Sequence, residues 1–164
     1  MNREERRGFV TRNGTAIFGY GRREDGPAMT VVYYVVDGDE ILVSTMAARA
    51  KAKAVERNPK VSLCVLNGEW PPTYLQVYCD AMVEKDIETN VDVAMRIAGV
   101  MAGKPMPDEV RPLVAEGVSR EDRVVLRLKP YATFETPSRH VNDAADINED
   151  NKNLIHGLGQ NLPW

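Results

Sequence analysis

The sequence has few of the residues that would point to a disulfide framework or a metal site. Its 164 residues include only two cysteines and two histidines. Cys64 and Cys79 both lie in apolar, strand-like runs, which indicates reduced thiols in a cytoplasmic protein. Neither His140 nor His156 has a Cys, His or carboxylate cluster at a ligand spacing, so we expect no metal site.

Long apolar runs and an excess of positive charge are also missing. No stretch approaches the roughly 18 apolar residues that a membrane span needs. The polar first ten residues, MNREERRGFV, have no apolar segment typical of a secretory signal. The net charge of -3 gives no reason to expect a nucleic acid or an anionic membrane as a partner. The composition, 43% hydrophobic and 27% charged, predicts one globular domain with a sizeable core.

The chain does contain many short runs with strand character, separated by turn signals. Predicted strands cover residues 14–21, 29–36, 41–45, 60–67, 74–86, 122–130 and 131–136. Turns at Asp25-Gly26 and at residues 37–40 predict that the first three strands form an antiparallel meander. The nearly continuous apolar character of residues 29–36 predicts a strand that is buried on both faces.

Helical patterns are few, and they lie between the strands. They cover residues 46–58, 90–103 and about 107–118. This distribution predicts a mainly β protein, a small β-barrel with few helices. We expect the barrel domain to span residues 1–137, followed by a polar, Asn-rich tail over residues 138–164.

The helix within residues 44–59, STMAARAKAKAVERNP, has an unusual distribution of charge. Arg49, Lys51 and Lys53 lie in its early turns, where the helix dipole already favours negative charge. Ser44 or Thr45 is predicted to cap its N-terminus.

Two interpretations account for these cations. A phosphate at the helix N-terminus would accept hydrogen bonds from free backbone N–H groups, from the hydroxyls and from Arg49 and Lys51. Alternatively, the segment is a surface helix with a basic face, on which Lys53 pairs with Glu56. The residues of the helix do not decide between them.

A longer pattern resembles a known family. The hairpin DG, the runs YYVVDGD and ILVST, and the segment RAKAKAVERNPKVSL are similar to the pyridoxamine 5'-phosphate oxidase-like, FMN-binding split-barrel family. They resemble in particular its branch that binds FMN or the deazaflavin coenzyme F420. The resemblance covers residues 10–135 and implies a homodimeric split barrel with the cofactor at the subunit interface.

The resemblance also implies site residues. Arg49 and Lys51 would hold the cofactor phosphate, and Ser44 and Thr45 would supply hydroxyls beside it. Lys53 would add a cation. Together with Arg49, Lys51 and the first-hairpin residues Arg22 and Arg23, it favours the more acidic F420 over FMN.

The second strand, Met29 to Tyr33, would lie along the ring, with Thr30 and Val32 in contact. Gln76 corresponds to a strand position that often reaches the cofactor, although an outward-facing polar residue is an equal alternative for it.

The chain departs from the true vitamin B6 oxidases at its end. Their Arg- and Trp-containing segment, which binds the vitamin phosphate, is not found in NEDNKNLIHGLGQNLPW. The expected function is therefore hydride transfer between F420 or FMN and another small organic substrate. The alternative is a non-catalytic flavin or tetrapyrrole carrier of the same fold. A nucleic-acid-binding barrel is disfavoured by the acidic balance of the chain.

Overall fold

The computed structural model describes residues 1–68, 73–135 and 160–164 and folds them into one antiparallel sheet with four helices. The helices are α1 (Arg3–Asn13), α2 (Ala50–Arg57), α3 (Ile87–Ala102) and α4 (Arg111–Arg120), and a 3-10 turn at Asp108–Val110 precedes α4. The strands are β1 (Thr15–Tyr20), β2 (Ala28–Tyr33), β3 (Val35–Asp37), β4 (Glu40–Met46), β5 (Lys60–Leu66), β6 (Tyr74–Glu84), β7 (Arg123–Glu135) and β8 (Gln160–Pro163). The predicted mainly β barrel is confirmed.

The order of the strands is β2-β1-β5-β6-β7-β4-β3, and β8 pairs with β7. Both hairpins of the predicted meander are present, as the pairs β1–β2 and β3–β4. They lie at opposite ends of the strand order, because the run 29–36 is divided between β2 and β3, so they do not form one continuous three-stranded meander. The two strands predicted over 122–130 and 131–136 are one strand, β7. A register shift lies opposite Tyr78 and Cys79, where Pro130 has no N–H to donate.

Residues 28–37 connect the two ends of this strand order. Their first part, β2, pairs with β1, and their last part, β3, pairs with β4. The chain therefore crosses from one end of the sheet to the other at Tyr34 and closes it into a barrel. The prediction of burial on both faces is wrong for β2, because Met29, Val31 and Tyr33 are exposed while Val32 is buried.

Closure is incomplete, and this leaves a gap that we call the fork. β2 has no strand partner on its second edge among the described residues, although β2 and β4 approach each other. In the described part of the chain, β3 pairs with residues 40–42 alone, so no strand pairs there with the same edge of β4 from Val43 to Met46. The fork lies between β2 and this end of β4. Its apex is Tyr34, and it opens towards the start of α2.

One main core fills the inner face of the sheet, and two helices cover its ends. Ala52, Ala54 and Val55 of α2 and Phe9 and Val10 of α1 are buried in it. α1 was not predicted, although its start carries a sequence signal. The Asn2 side chain accepts from the Glu5 N–H, and the Glu5 carboxylate accepts from the Asn2 N–H, which forms a capping box.

The outer face is covered only in part. α3 lies over β3, β4 and β7, where Val93 packs with Val35, Leu42 and Val125 in a second cluster. α3 also contacts β2, but Met29 and Val31 on the outer face of that strand stay exposed among the described residues.

The last residues of the predicted tail, Gln160–Pro163, pair with β7 as strand β8. The rest of the tail up to residue 159 lies outside the described residues. Both cysteines are free thiols, Cys79 buried and Cys64 half-buried. Among the helices that the structure describes, none has the length and apolar character needed to span a membrane.

Candidate functional site

The open end of the fork contains the helix start that the sequence singles out, but the boundary differs from the prediction. α2 begins at Ala50, with Arg49 at the N-cap and no side-chain cap. Ser44 and Thr45 belong to β4, so the prediction that either caps the helix is wrong. Pairing of Thr45 with Val124 in β7 keeps this segment in the sheet.

The two hydroxyl residues point to opposite faces of the sheet, as neighbours on a strand must. Thr45 lies on the inner face and is buried. Ser44 lies on the outer face, where its Oγ accepts a hydrogen bond from Arg123 Nε at 3.0 Å. They do not form a hydroxyl pair on one side of the sheet.

The cations at the start of α2 have no acidic partner in the described part of the chain. Arg49 and Lys53 are exposed, Lys51 is half-buried, and none of the three takes part in an ion pair there. The alternative pairing of Lys53 with Glu56 is not found, because Glu56 Oε1 lies 3.4 Å from Lys85 Nζ instead.

The positive charges of Arg49 and Lys51 also repel each other. Burial lowers the pKa of Lys51, and the charge of Arg49 lowers it further. The backbone N–H groups of Ala50 and Lys51 have no acceptor among the described residues, as is usual in a first helical turn. Free N–H groups together with unpaired cations are a combination that favours the binding of an anion.

β2 presents a second unsatisfied group to the fork. The Oγ1 of Thr30 is buried and has no hydrogen-bond partner in the part of the chain that is described. Such a group ordinarily costs about 1–3 kcal/mol. Thr30 lies on the inner face beside Phe18, and Val32 lies further in, buried in the main core. An orphaned hydroxyl beside a free strand edge fits a polar ligand lying along β2.

Gln76 is not part of the same cluster within one chain. Cross-strand register places it on the outer face, in the row Val31, Ile17, Cys64, Gln76. Thr30 faces the other side, and three strand spacings separate β2 from β6, which is roughly 14 Å. Gln76 and Thr30 of one chain therefore do not reach the same ligand.

The outer face of β2 carries apolar side chains that are exposed among the described residues. Met29 is 72% exposed and Val31 is 74% exposed, and Tyr33 follows on the same side. Adjacent exposed apolar residues on a sheet face are typical of an interaction surface. Sequence reasoning missed this surface, because it treated the same residues as buried.

A cleft of about 1080 Å³ lies elsewhere, between the end of α1, β3 and α3. None of the predicted site residues lines it. Three of its arginines are matched by carboxylates, in the pairs Arg96–Asp37 (3.5 Å), Arg111–Asp92 (2.6 Å) and Arg127–Glu40 (2.6 Å). Arg12 and Lys104 also line the cleft, and neither has an ion pair in the described part of the chain. What distinguishes the start of α2 is the combination of unpaired cations with free helix N–H groups.

The described residues offer no obvious metal centre. No group of three His, Cys, Asp or Glu side chains within them is arranged to hold a metal ion. Neither described thiol is activated, since burial raises the pKa of both Cys64 and Cys79.

Comparison with solved structures finds the same fold in several proteins. The conserved hypothetical protein Rv2991 from Mycobacterium tuberculosis is 22% identical, with a TM-score of 0.72 over 88% of this chain and 94% of that one. A protein described as an F420 reductase is 18% identical, with a TM-score of 0.59 over 77% and 93% of the two chains. The heme storage protein HutZ from Vibrio cholerae is 19% identical, with a TM-score of 0.57 over 78% and 89%.

These likenesses concern the fold. Comparison with curated protein sequences finds no match. The family model for pyridoxamine 5'-phosphate oxidase matches residues 3–136, which include the fork, α2 and nearly all of the sheet. With that match, and with the split barrel seen in the structure, the chain belongs to the pyridoxamine 5'-phosphate oxidase-like family.

Proposed function

We propose that the protein binds a phosphate-bearing flavin or deazaflavin, FMN or F420, in the fork, and transfers a hydride between it and a small organic substrate. The observation that carries this proposal is the start of α2, where Arg49 and Lys51 have no acidic partner among the described residues and lie beside free backbone N–H groups.

The residues present fit such a cofactor. Arg49 would hold the phosphate oxygens with its planar group of donors, and Lys51 would add a point charge beside it. Lys53, one turn beyond Arg49, would face the acidic tail of F420. The orphaned Oγ1 of Thr30 would gain a partner, and the free edge of β2 would face the ring. Ser44 and Thr45 would each supply a hydroxyl, Ser44 from the outer side of β4 and Thr45 from the inner side.

When bound, the ring supplies the hydride chemistry, and the protein supplies binding and orientation. Val32 and the core behind it would exclude water from the inner side of the ring. This division needs no protein nucleophile. The likeness in fold to an F420 reductase supports a reductase role without fixing the substrate.

The open outer face supports a second part of the proposal, that two copies pair through β2. Met29, Val31 and Tyr33 would be covered by the partner. Gln76 lies on this same outer face. In such a dimer the Gln76 side chain of each copy would reach the cofactor site of the other copy, although it does not reach the site of its own chain. Val31→Asp should give a monomer in size-exclusion chromatography with light scattering. Leu113→Asp, which changes a residue 71% exposed on α4, should leave the oligomeric state unchanged.

The alternative is a carrier that binds a flavin or tetrapyrrole without turnover. The likeness to the heme storage protein HutZ supports it. The discriminating measurement follows reoxidation of the bound, reduced cofactor with a panel of organic acceptors. Acceleration by the protein over free cofactor supports an enzyme, and protection of the cofactor from reoxidation supports a carrier.

The binding proposal is tested with the double variant Arg49→Ala/Lys51→Ala, titrated with FMN and with F420. Two lost hydrogen bonds to a charged group correspond to roughly 3–6 kcal/mol, so the Kd should rise at least about a hundredfold. Thermal unfolding should barely change, because both side chains reach solvent.

A control double variant, Lys104→Ala/Arg120→Ala, removes the same charge from exposed positions beyond α3 and on α4. It should bind as the parent does, which separates a local contact from a general loss of positive charge. Parent-like binding by Arg49→Ala/Lys51→Ala would mean that the start of α2 does not hold the phosphate.

A further inference from the structure

We propose that Arg123, acting through Ser44, is a positioning residue that holds the start of α2 in its phosphate-binding geometry. This inference rests on the proposed function and gives Ser44 a different role from direct contact with the cofactor. Arg123 begins β7, directly after the corner at Glu121 and Asp122 that follows α4.

The side chain of Arg123 joins two segments. Its Nε donates to Ser44 Oγ at 3.0 Å, and its Nη1 donates to Glu121 Oε2 at 2.5 Å. Ser44 is near the end of β4, five residues before Arg49. The guanidinium therefore fixes the last part of β4 against the corner that precedes β7.

Backbone contacts continue this connection towards the helix. Met46 pairs with Arg123, and the N–H of Ala47 donates to the carbonyl of Asp122 at 2.8 Å. The N–H of Arg49 then donates to the carbonyl of Met46 at 3.0 Å. Ser44, Met46 and Ala47 are thus each tied to residues 122 and 123, and Arg49 is tied to Met46.

The corner itself is in a strained conformation. Asp122 has a φ of 47°, and among the described residues no other non-glycine residue has a positive φ. This conformation turns the Asp122 carbonyl towards the Ala47 N–H. Strained backbone persists where surrounding contacts fix it, and it is often found beside functional segments.

Arg123 is better suited to positioning than to binding a phosphate itself. Its charge is matched by Glu121, whereas Arg49 and Lys51 have no carboxylate partner within residues 1–68, 73–135 and 160–164. A second pair on the same face of β7 provides the comparison. Arg127 contacts Glu40 at 2.6 Å, and that pair lies near the start of β4, away from the connection to α2.

The test measures the contribution of the phosphate to binding. FMN and riboflavin share one ring and differ in the phosphate, so the ratio of their Kd values isolates that contribution. F420 and its phosphate-free chromophore form a second such pair. The variants are Arg123→Met and Ser44→Ala, with Arg127→Met as the matched control.

Arg123→Met and Ser44→Ala should each reduce the parent's preference for the phosphate-bearing ligand by about tenfold or more, because a misplaced binding group loses much of its effect. Riboflavin affinity should stay within twofold of the parent, and Arg127→Met should keep the full preference. A merely structural role would weaken both ligands equally. Ser44→Ala deletes one oxygen atom and tests the connection even where Arg123→Met does not fold.

The outcomes separate the two proposals. A parent protein that binds FMN no better than riboflavin, and F420 no better than its chromophore, overturns the proposed function and this inference with it. A parent that prefers the phosphate-bearing ligands, together with Arg123 and Ser44 variants that keep this preference, overturns the positioning role alone.

Discussion

The two ends of the fork are built from the same two strands, yet they differ in how their polar groups are satisfied. At the apex, the hydroxyl of Tyr34 donates to the carbonyl of Val10 at 2.5 Å, and the backbone N–H of Tyr34 donates to the carbonyl of Gly14 at 2.9 Å. At the open end, the hydroxyl of Thr30 is buried and has no partner among the described residues, and Lys51 is half-buried beside Arg49. The polar groups at one end are satisfied within the described chain, and those at the other end would be satisfied by the proposed ligand.

This difference distinguishes the residues that stabilise the barrel from the residues that would bind a ligand. Satisfied, buried groups at the apex hold α1 to the crossing strand. Unsatisfied groups at the open end reduce the stability of the free protein, and natural proteins tolerate such costs mainly at functional sites. Substitutions at the two ends should therefore change different measurements.

The largest effect is expected at the apex. Tyr34→Ala removes a nearly fully buried aromatic side chain and should lower the free energy of unfolding by about 3–5 kcal/mol. Tyr34→Phe keeps the ring, loses the hydrogen bond to Val10 and should cost about 1–2 kcal/mol. Denaturant titration measures both values. Cofactor affinity in Tyr34→Phe should match the parent, and a loss there would mean that the two ends of the fork are coupled.

A smaller effect, with opposite signs in two measurements, is expected at Thr30. Thr30→Val replaces the orphaned hydroxyl with a methyl group and should stabilise the free protein by about 1 kcal/mol. The same change should weaken cofactor binding, because the ligand loses its partner. Differential scanning fluorimetry and ligand titration measure the two effects.

Thr133 provides the matched comparison for Thr30. It is also a threonine on a strand, but its hydroxyl donates to the carbonyl of Leu162 at 3.3 Å. Thr133→Val should therefore destabilise the protein and leave cofactor binding unchanged. If both substitutions lower stability, the Thr30 hydroxyl has a partner in the free protein and does not await a ligand.

The elements of the barrel could be predicted because their signals are local. Alternation and turn residues identify β1 and β5, and helical spacing identifies α3. The cations of α2 were also predictable, since their position relative to the helix dipole is a property of a few adjacent residues. The capping box at Asn2 and Glu5 is equally local, and α1 could have been found from it.

The errors concern contacts between distant parts of the chain. Ser44 and Thr45 have the residue types of a helix cap, but pairing with β7, about 80 positions later, keeps them in β4. The apolar run 29–36 suits a strand buried on both faces, but Tyr34 divides it between two strand partners. A local sequence pattern does not reveal which strand edge a segment pairs with. That pairing decides which side chains face the fork.

The smallest expected effect is the pH dependence that Lys51 gives to cofactor binding. Burial and the charge of Arg49 hold the pKa of free Lys51 below its ordinary value of 10.5. A bound phosphate favours the ammonium form, so affinity should be full below the pKa of free Lys51 and should fall as the pH rises through it. The Kd ratio of FMN to riboflavin, measured above pH 7.5, cancels titration of the shared ring and leaves the phosphate fully ionised. In Lys51→Arg the side chain stays charged throughout this range, so the ratio should not change with pH. An equal fall in parent and variant would assign the pH dependence to a group other than Lys51.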